Sequence, residues 1–124
     1  MKNIIYAIII VMSFLSCKSD KKCSDFKTGS FKYIDQNLSD WKVTRNDTLQ
    51  IETNIKNGMT VEGSVKWKSD CEYELIYTRT SYPKLQNMIG KKVKVTITNI
   101  KNDTLTYLAK GDEEQVESKM IKIE

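Results

Sequence analysis

A single all-β domain, a small antiparallel meander of about eight strands closed into a barrel, is what this sequence predicts. Three observations predict it. The first is the stretch 61–79. Val61, Gly63, Val65 and Trp67, then Cys71, Tyr73, Leu75 and Tyr77, fall on alternate positions, with Glu62, Ser64, Lys66, Glu72 and Glu74 between them. Period two marks a strand with one buried face, and Ser69-Asp70 between the two runs makes the stretch a hairpin. The second is spacing: further alternating runs recur about every ten residues, parted by Asn, Asp and Gly turn signals. The third is size. A domain this small can cover one face of so many strands only by rolling the sheet up or folding it over, and closure also removes the exposed edges. A flatter sandwich is the alternative. An eight-stranded barrel has an interior filled by side chains or holding one small ligand.

The first sixteen residues stand apart. Lys2 precedes an apolar run from Ile4 to Leu15, interrupted by Tyr6 and Ser13. That run is too short for a spanning helix, which needs about twenty residues. A basic start, a short apolar segment and then small residues make a secretory signal peptide. The junction Phe14-Leu15-Ser16-Cys17 resembles the lipobox of bacterial lipoproteins, with Phe14 where an aliphatic residue is commoner. The resemblance implies cleavage before Cys17, thioether diacylation of its sulfur and acylation (palmitate or similar) of the new amino group. An ordinary signal peptide with an incidental cysteine is the alternative. One acyl chain, at about 0.8 kcal/mol per buried methylene, holds a protein only marginally, and a second makes the anchor stable. The expected organisation is a lipoprotein signal peptide over 1–16, a lipidated tether over 17–24 and a single β domain over 25–124.

Along the chain, Lys18–Lys22 is short, polar and charged, as a tether should be. It resembles the surface-export signals of Bacteroidota lipoproteins, except that lysines follow Ser19-Asp20. Phe26–Ile34 is the first strand, with Gly29, Phe31 and Tyr33 on one face. Asp35–Asp40 is a polar turn or a single helical turn. Trp41, Val43 and Arg45 share the inner face of the second strand. After Asn46-Asp47, Leu49, Ile51, Thr53 and Ile55 alternate again. Asn57-Gly58 signals a two-residue type I′ hairpin leading into the central pair. Ser81–Gly90, with Pro83, is a loop with one or two helical turns. Val93, Val95 and Ile97 alternate, Asn102-Asp103 turns the chain, and Leu105, Tyr107 and Ala109 alternate. Gly111-Asp112 turns it again into a last strand, Gln115–Ile123. There Val116, Ser118 and Met120 fit one face and Ile121 and Ile123 the other, so a bulge is expected near Met120.

Composition excludes several kinds of chemistry. The chain has no histidine, which removes the commonest general base and the usual nucleophile pairs. Glu72, Glu74 and Asp112-Glu113-Glu114 read as solvated surface. No glycine-rich phosphate loop and no zinc-type cysteine spacing is present, so no cofactor and no metal is expected. Twenty basic residues against sixteen acidic ones give a mild net charge of +4. Only two bases are arginines, so nucleic acid is not an expected partner. With Cys17 acylated, Cys23 and Cys71 remain. Outside the cytoplasm two such cysteines tend to pair; two free thiols are the alternative.

The arginines suggest a ligand site. Arg45 continues the inner register of Trp41 and Val43, and Arg79 that of Tyr73, Leu75 and Tyr77. Near the rim, either guanidinium is suited to the carboxylate of an amphipathic ligand, in a cavity lined by Trp41, Trp67, Tyr73, Tyr77 and Tyr107. The competing reading is structural: each arginine snorkels at the rim and stacks on an aromatic ring.

Gly29-Ser30-Phe31 resembles a variant of the glycine–x–tryptophan start of lipocalin-type barrels, with phenylalanine for tryptophan. A second resemblance covers nearly the whole chain. Cys23–Tyr33 (CSDFKTGSFKY), Thr44-Arg45-Asn46-Asp47, Trp67–Leu75 (WKSDCEYEL) and the ending Met120-Ile121-Lys122-Ile123 resemble a family of short Bacteroidota lipoproteins of unknown function. Members are often labelled "DNA topoisomerase IV", which the residues here do not support. A type II topoisomerase subunit is many times longer and needs a tyrosine nucleophile beside an acidic metal site. The same resemblance implies one modification: Asp47-Thr48-Leu49 and Asp103-Thr104-Leu105 match the acceptor of Bacteroidota O-glycosylation, at Thr48 and Thr104. The expectation is a non-enzymatic envelope lipoprotein, anchored at the outer membrane by its N-terminal lipid, that binds a small amphipathic ligand. A protein-interaction or inhibitor module acting on an envelope protein is the alternative.

Overall fold

The computed structural model describes residues 21–124. The expected signal peptide, the first half of the tether and with it the lipidation site Cys17 lie outside the described residues. Among those described, no helix is long and apolar enough to cross a membrane. The chain forms eight antiparallel strands: β1 (Gly29–Tyr33), β2 (Trp41–Arg45), β3 (Leu49–Asn54), β4 (Thr60–Ser69), β5 (Glu72–Thr80), β6 (Lys92–Lys101), β7 (Thr104–Lys110) and β8 (Gln115–Lys122). Each pairs with its neighbour in sequence, and β1 pairs with β8 to close the barrel. Closure leaves no sheet edge unpaired.

A meander puts alternate connections at opposite ends. The near end carries the turns after β2, β4 and β6 together with a 3₁₀ turn, Cys23–Phe26. The far end carries the 3₁₀ turn Gln36–Leu38, the β3–β4 turn, the 3₁₀ segment Pro83–Met88 and the β7–β8 turn. The near end is sealed. Phe26 is wholly buried beneath Cys23–Phe26, and Cys23 is bonded to Cys71 at the β4–β5 turn with a Cα–Cα distance of 5.0 Å. The core above it comprises Phe31, Val43, Val65, Tyr73, Leu75, Val95, Ile97, Leu105, Tyr107 and Met120.

Four sequence expectations are corrected. First, β3 is turned over. Asn46 pairs with Leu49 across a two-residue turn, Asn46 N donating to Leu49 O at 2.9 Å. Asn46 Oδ1 also accepts from the backbone N–H groups of Thr48 and Leu49. This sets Gln50 opposite Arg45 and Glu52 opposite Val43. Directly opposed residues share a face, so Gln50 and Glu52 face inward while Leu49 and Ile51 face out. Turn length, not hydrophobic alternation, fixes the register.

Second, Arg79 lies outside the barrel. Gly63 pairs with Tyr77 but Glu62 pairs with Arg79, so Thr78 is an extra residue on β5. The bulge switches the phase: Arg79 is mostly exposed and meets Glu62 at 2.9 Å, while Thr80 is buried. Third, β8 needs no bulge. It pairs with β7 without a break, Met120 faces in, and Ile121 and Ile123 are simply partly exposed. Fourth, Asn57-Gly58 is not a type I′ pair. Gly58 alone has positive φ, +75°, and the turn is held by Asn54, whose Oδ1 accepts from Lys56 N and Asn57 N.

Candidate functional site

The inverted β3 gives the barrel a polar interior in two storeys. The lower one is centred on Arg45, 3% exposed at the near end. Its Nε donates to Lys27 O at 3.2 Å and its Nη2 to Phe26 O at 2.7 Å. Its Nη1 donates to Gln50 Oε1 and to Tyr73 Oη, both at 2.9 Å. The guanidinium carbon sits 4.6 Å from the Phe31 ring centre, 4.9 Å from that of Tyr73 and 5.8 Å from that of Trp67. The plug is thus tied to the barrel by an arginine whose charge is solvated by carbonyls, an amide, a hydroxyl and ring faces. Arg45 stacks on rings, but it is buried and does not snorkel at the rim; its Nε, Nη1 and Nη2 groups are engaged within the protein.

The upper storey is centred on Glu52. Its Oε1 accepts the hydroxyl proton of Tyr33. Its Oε2 has no hydrogen-bond partner among the described residues, and Glu52 makes no ion pair among them. Oε2 is not sealed off, however. Trp67 Nε1 is the one fully buried side-chain polar atom without a partner among the described residues. Glu52 is therefore surrounded by protein yet keeps some accessible surface.

Burial raises the Glu52 carboxyl above its usual value, while the Tyr33 hydroxyl and the Arg45 charge pull the other way. Burial and the Glu52 charge together push the Tyr33 and Tyr77 hydroxyls well above the ordinary tyrosine range. Tyr107 is pushed up to about 12, chiefly by burial, with Ser118 opposite it on β8 pulling the other way. Burial also raises Tyr73, against the pull of Arg45.

At the far end a cleft of about 380 Å³ lies beside the barrel mouth, and Tyr77 is the residue of this storey that lines it. Tyr77, Met88 and Val93 line its floor; Lys91, Lys92 and the turn Gly111–Glu114 form its rim. Tyr77 borders both the cleft and the Glu52 storey.

The residues expected to form one ligand cavity are thus divided. Arg45, Trp67 and Tyr73 meet at the sealed end, with Trp67 and Tyr73 ring centres 4.6 Å apart. Tyr77 and Tyr107 belong to the upper storey. Trp41 stands half-buried at the far end of β2, opposite Asn54. Arg79 is on the outer wall. Thr48 is exposed in the β2–β3 turn and Thr104 half-buried at the start of β7. The sequence reading missed Tyr33, Gln50 and Glu52. Counting outward from a two-residue turn at Asp47-Thr48 places Gln50 against Arg45 and would have found the last two. Among the described residues, no group of three or more Cys, Asp or Glu is gathered to hold a metal ion. No family model, curated protein or solved structure matches the chain.

Proposed function

We propose that this chain is a lipid-anchored protein of the bacterial outer membrane that acts by binding, not by catalysis, and takes a small amphipathic molecule through the far end of its barrel. One observation carries this reading: an inward-facing carboxylate, half-used by the protein, acts on Tyr77, which together with Met88 and Val93 lines the far-end cleft. A few convergent polar groups beside apolar side chains are the usual makings of a small-molecule site. The anchor favours the same polarity. Cys17 precedes Cys23 by six residues, a reach of about 20 Å at full extension, and Cys23 is bonded to the near end. An acylated Cys17 holds the sealed end toward the bilayer and turns the open end away from it.

A second reading, a protein-interaction module, is favoured by a different observation. Ile34, Ile55, Ile89 and Val116, all substantially exposed, belong to that same far end, and exposed apolar surface in one region marks contact sites. Native mass spectrometry of the chain purified from its own envelope separates the two. A mass excess that vanishes on denaturation supports the ligand-binding reading. A mass equal to the acylated polypeptide, together with a stable protein complex, supports the second.

A further inference from the structure

The barrel interior also selects the charge of what it binds. Resting on the ligand-binding reading above, we propose that the inward-facing Glu52 carboxylate receives the head of a small organic cation, a protonated amine or a quaternary ammonium, and that the apolar remainder lies in the cleft beside Tyr77, Met88 and Val93.

An anionic head would need unused donors inside. Arg45, the inward-facing arginine, spends its Nε, Nη1 and Nη2 groups on Lys27 O, Gln50, Tyr73 and Phe26 O. It does so at the sealed end, below Phe31 and Val43. Lys32, Lys42, Lys66 and Lys94 fall on the outward register of their strands, each alternating with a core residue. What the upper storey offers is an acceptor. Glu52 Oε2 lacks a partner among the described residues and faces accessible space, while Oε1 is held by Tyr33.

The walls suit a cation as well. Tyr33, Tyr77 and Tyr107 enter from β1, β5 and β7, three directions round the barrel, and all three hydroxyls respond to the Glu52 charge. Aromatic rings around a carboxylate are the chemistry that recognises ammonium heads, through ring faces and charge together. Lys122, opposite Phe31, donates to Asp25 O at the near end; Arg45 is the cation whose charge reaches Glu52. It favours the ionised form of Glu52, and it confines an incoming cation to the far side of the carboxylate, where the tyrosines stand. Lys91 and Lys92 at the rim are matched by Asp112, Glu113 and Glu114 across the same cleft, so the entrance is mixed in sign.

The test is an NMR titration of the chain carrying Cys17→Ser, which leaves no acyl group, with three probes of similar size: butyltrimethylammonium, butyrate and butanol. The ammonium probe is expected to shift the ring resonances of Tyr33, Tyr77 and Tyr107 saturably, with butyrate leaving them in place. Glu52→Gln keeps an acceptor for Tyr33 and is expected to weaken the ammonium probe by about tenfold or more, and Tyr77→Leu by several-fold. Butyrate binding as tightly as the ammonium probe, or undiminished ammonium binding by both variants, would overturn the cation inference while leaving ligand binding intact. Interior resonances unmoved by any of the three probes would remove the ligand-binding reading as well.

Discussion

Replacing Arg45 by methionine should cost far more than the same change at Arg79, although the sequence sets both arginines at the end of an alternating run. In Arg45→Met, the carbonyls of Phe26 and Lys27 lose a donor inside the sealed end, and Gln50 and Tyr73 lose their shared one. A buried acceptor left unmatched costs about 1–3 kcal/mol. The Tyr73 hydroxyl turns and the Gln50 amide re-pairs, so the two fixed carbonyls dominate. Methionine packs well against Phe31 and Trp67, and the guanidinium no longer has to leave water, which offsets part of the loss. The net expectation is about 3–5 kcal/mol, the range for breaking one side of a buried charged network. In Arg79→Met only an exposed pair with Glu62 is lost, worth about 0–1 kcal/mol. One kcal/mol moves the midpoint of a domain this size by about 4–8 °C, so Arg45→Met should lower Tm by about 12 °C at least and Arg79→Met by less than about 8 °C. Thermal unfolding followed by tryptophan fluorescence reads both, since Trp67 sits against Tyr73. Equal small shifts in the two variants would refute the argument that Arg45 locks the plug to the barrel.

Three further predictions concern the disulfide, the buried tyrosines and Glu52. Cys23→Ser with Cys71→Ser opens a loop of 48 residues and should lower stability by about 4 kcal/mol in the chain-entropy account; a urea midpoint unchanged from wild type would contradict it. Tyr33, Tyr73, Tyr77 and Tyr107 hold their protons above the ordinary value of 10.0 in the folded chain. The unfolded chain therefore loses them first, and stability that is complete below pH 10 falls as pH rises beyond it. Near-ultraviolet titration should show these hydroxyls ionising late, together with loss of the fold; ionisation near pH 10 with the far-ultraviolet spectrum intact would count against their burial. Glu52 has the same sign at lower pH. Its carboxyl is raised above 4.5, so its contribution is greatest below pH 4.5 and declines as pH rises through the folded value, and Glu52→Gln should flatten that part of the profile.

Most of the barrel was legible because its inner register is apolar. Val61–Tyr77, Val93–Ile97 and Leu105–Ala109 alternate cleanly, and the turns between them use Asn, Asp and Gly. The pairing of Cys23 with Cys71 follows from how few cysteines remain. The departures share one physical cause: side-chain alternation gives the phase of a strand only while the pairing is unbroken and the buried face is apolar. At β3 the buried face is polar, because Gln50 and Glu52 find partners in Arg45 and Tyr33. At β5 a single extra residue, Thr78, carries Arg79 to the other side. Gly63, whose added Cβ would come within 2.6 Å of Leu75 Cδ1, gives β4 the close approach to β5 beside that bulge. The candidate site falls where alternation misleads, and it became visible only when register replaced hydrophobicity as the guide.

The central claim is that the interior is dry and locked at the disulfide-bonded end and reachable from solvent at Glu52. Cross-relaxation between water and side-chain protons tests it most directly. Water contacts are expected at the Tyr33 and Tyr77 rings, with none at Phe26, Phe31 or Val43. Water at Phe26 and Phe31, or no water beside Tyr33 and Tyr77, would contradict the division of the barrel on which the functional reading stands.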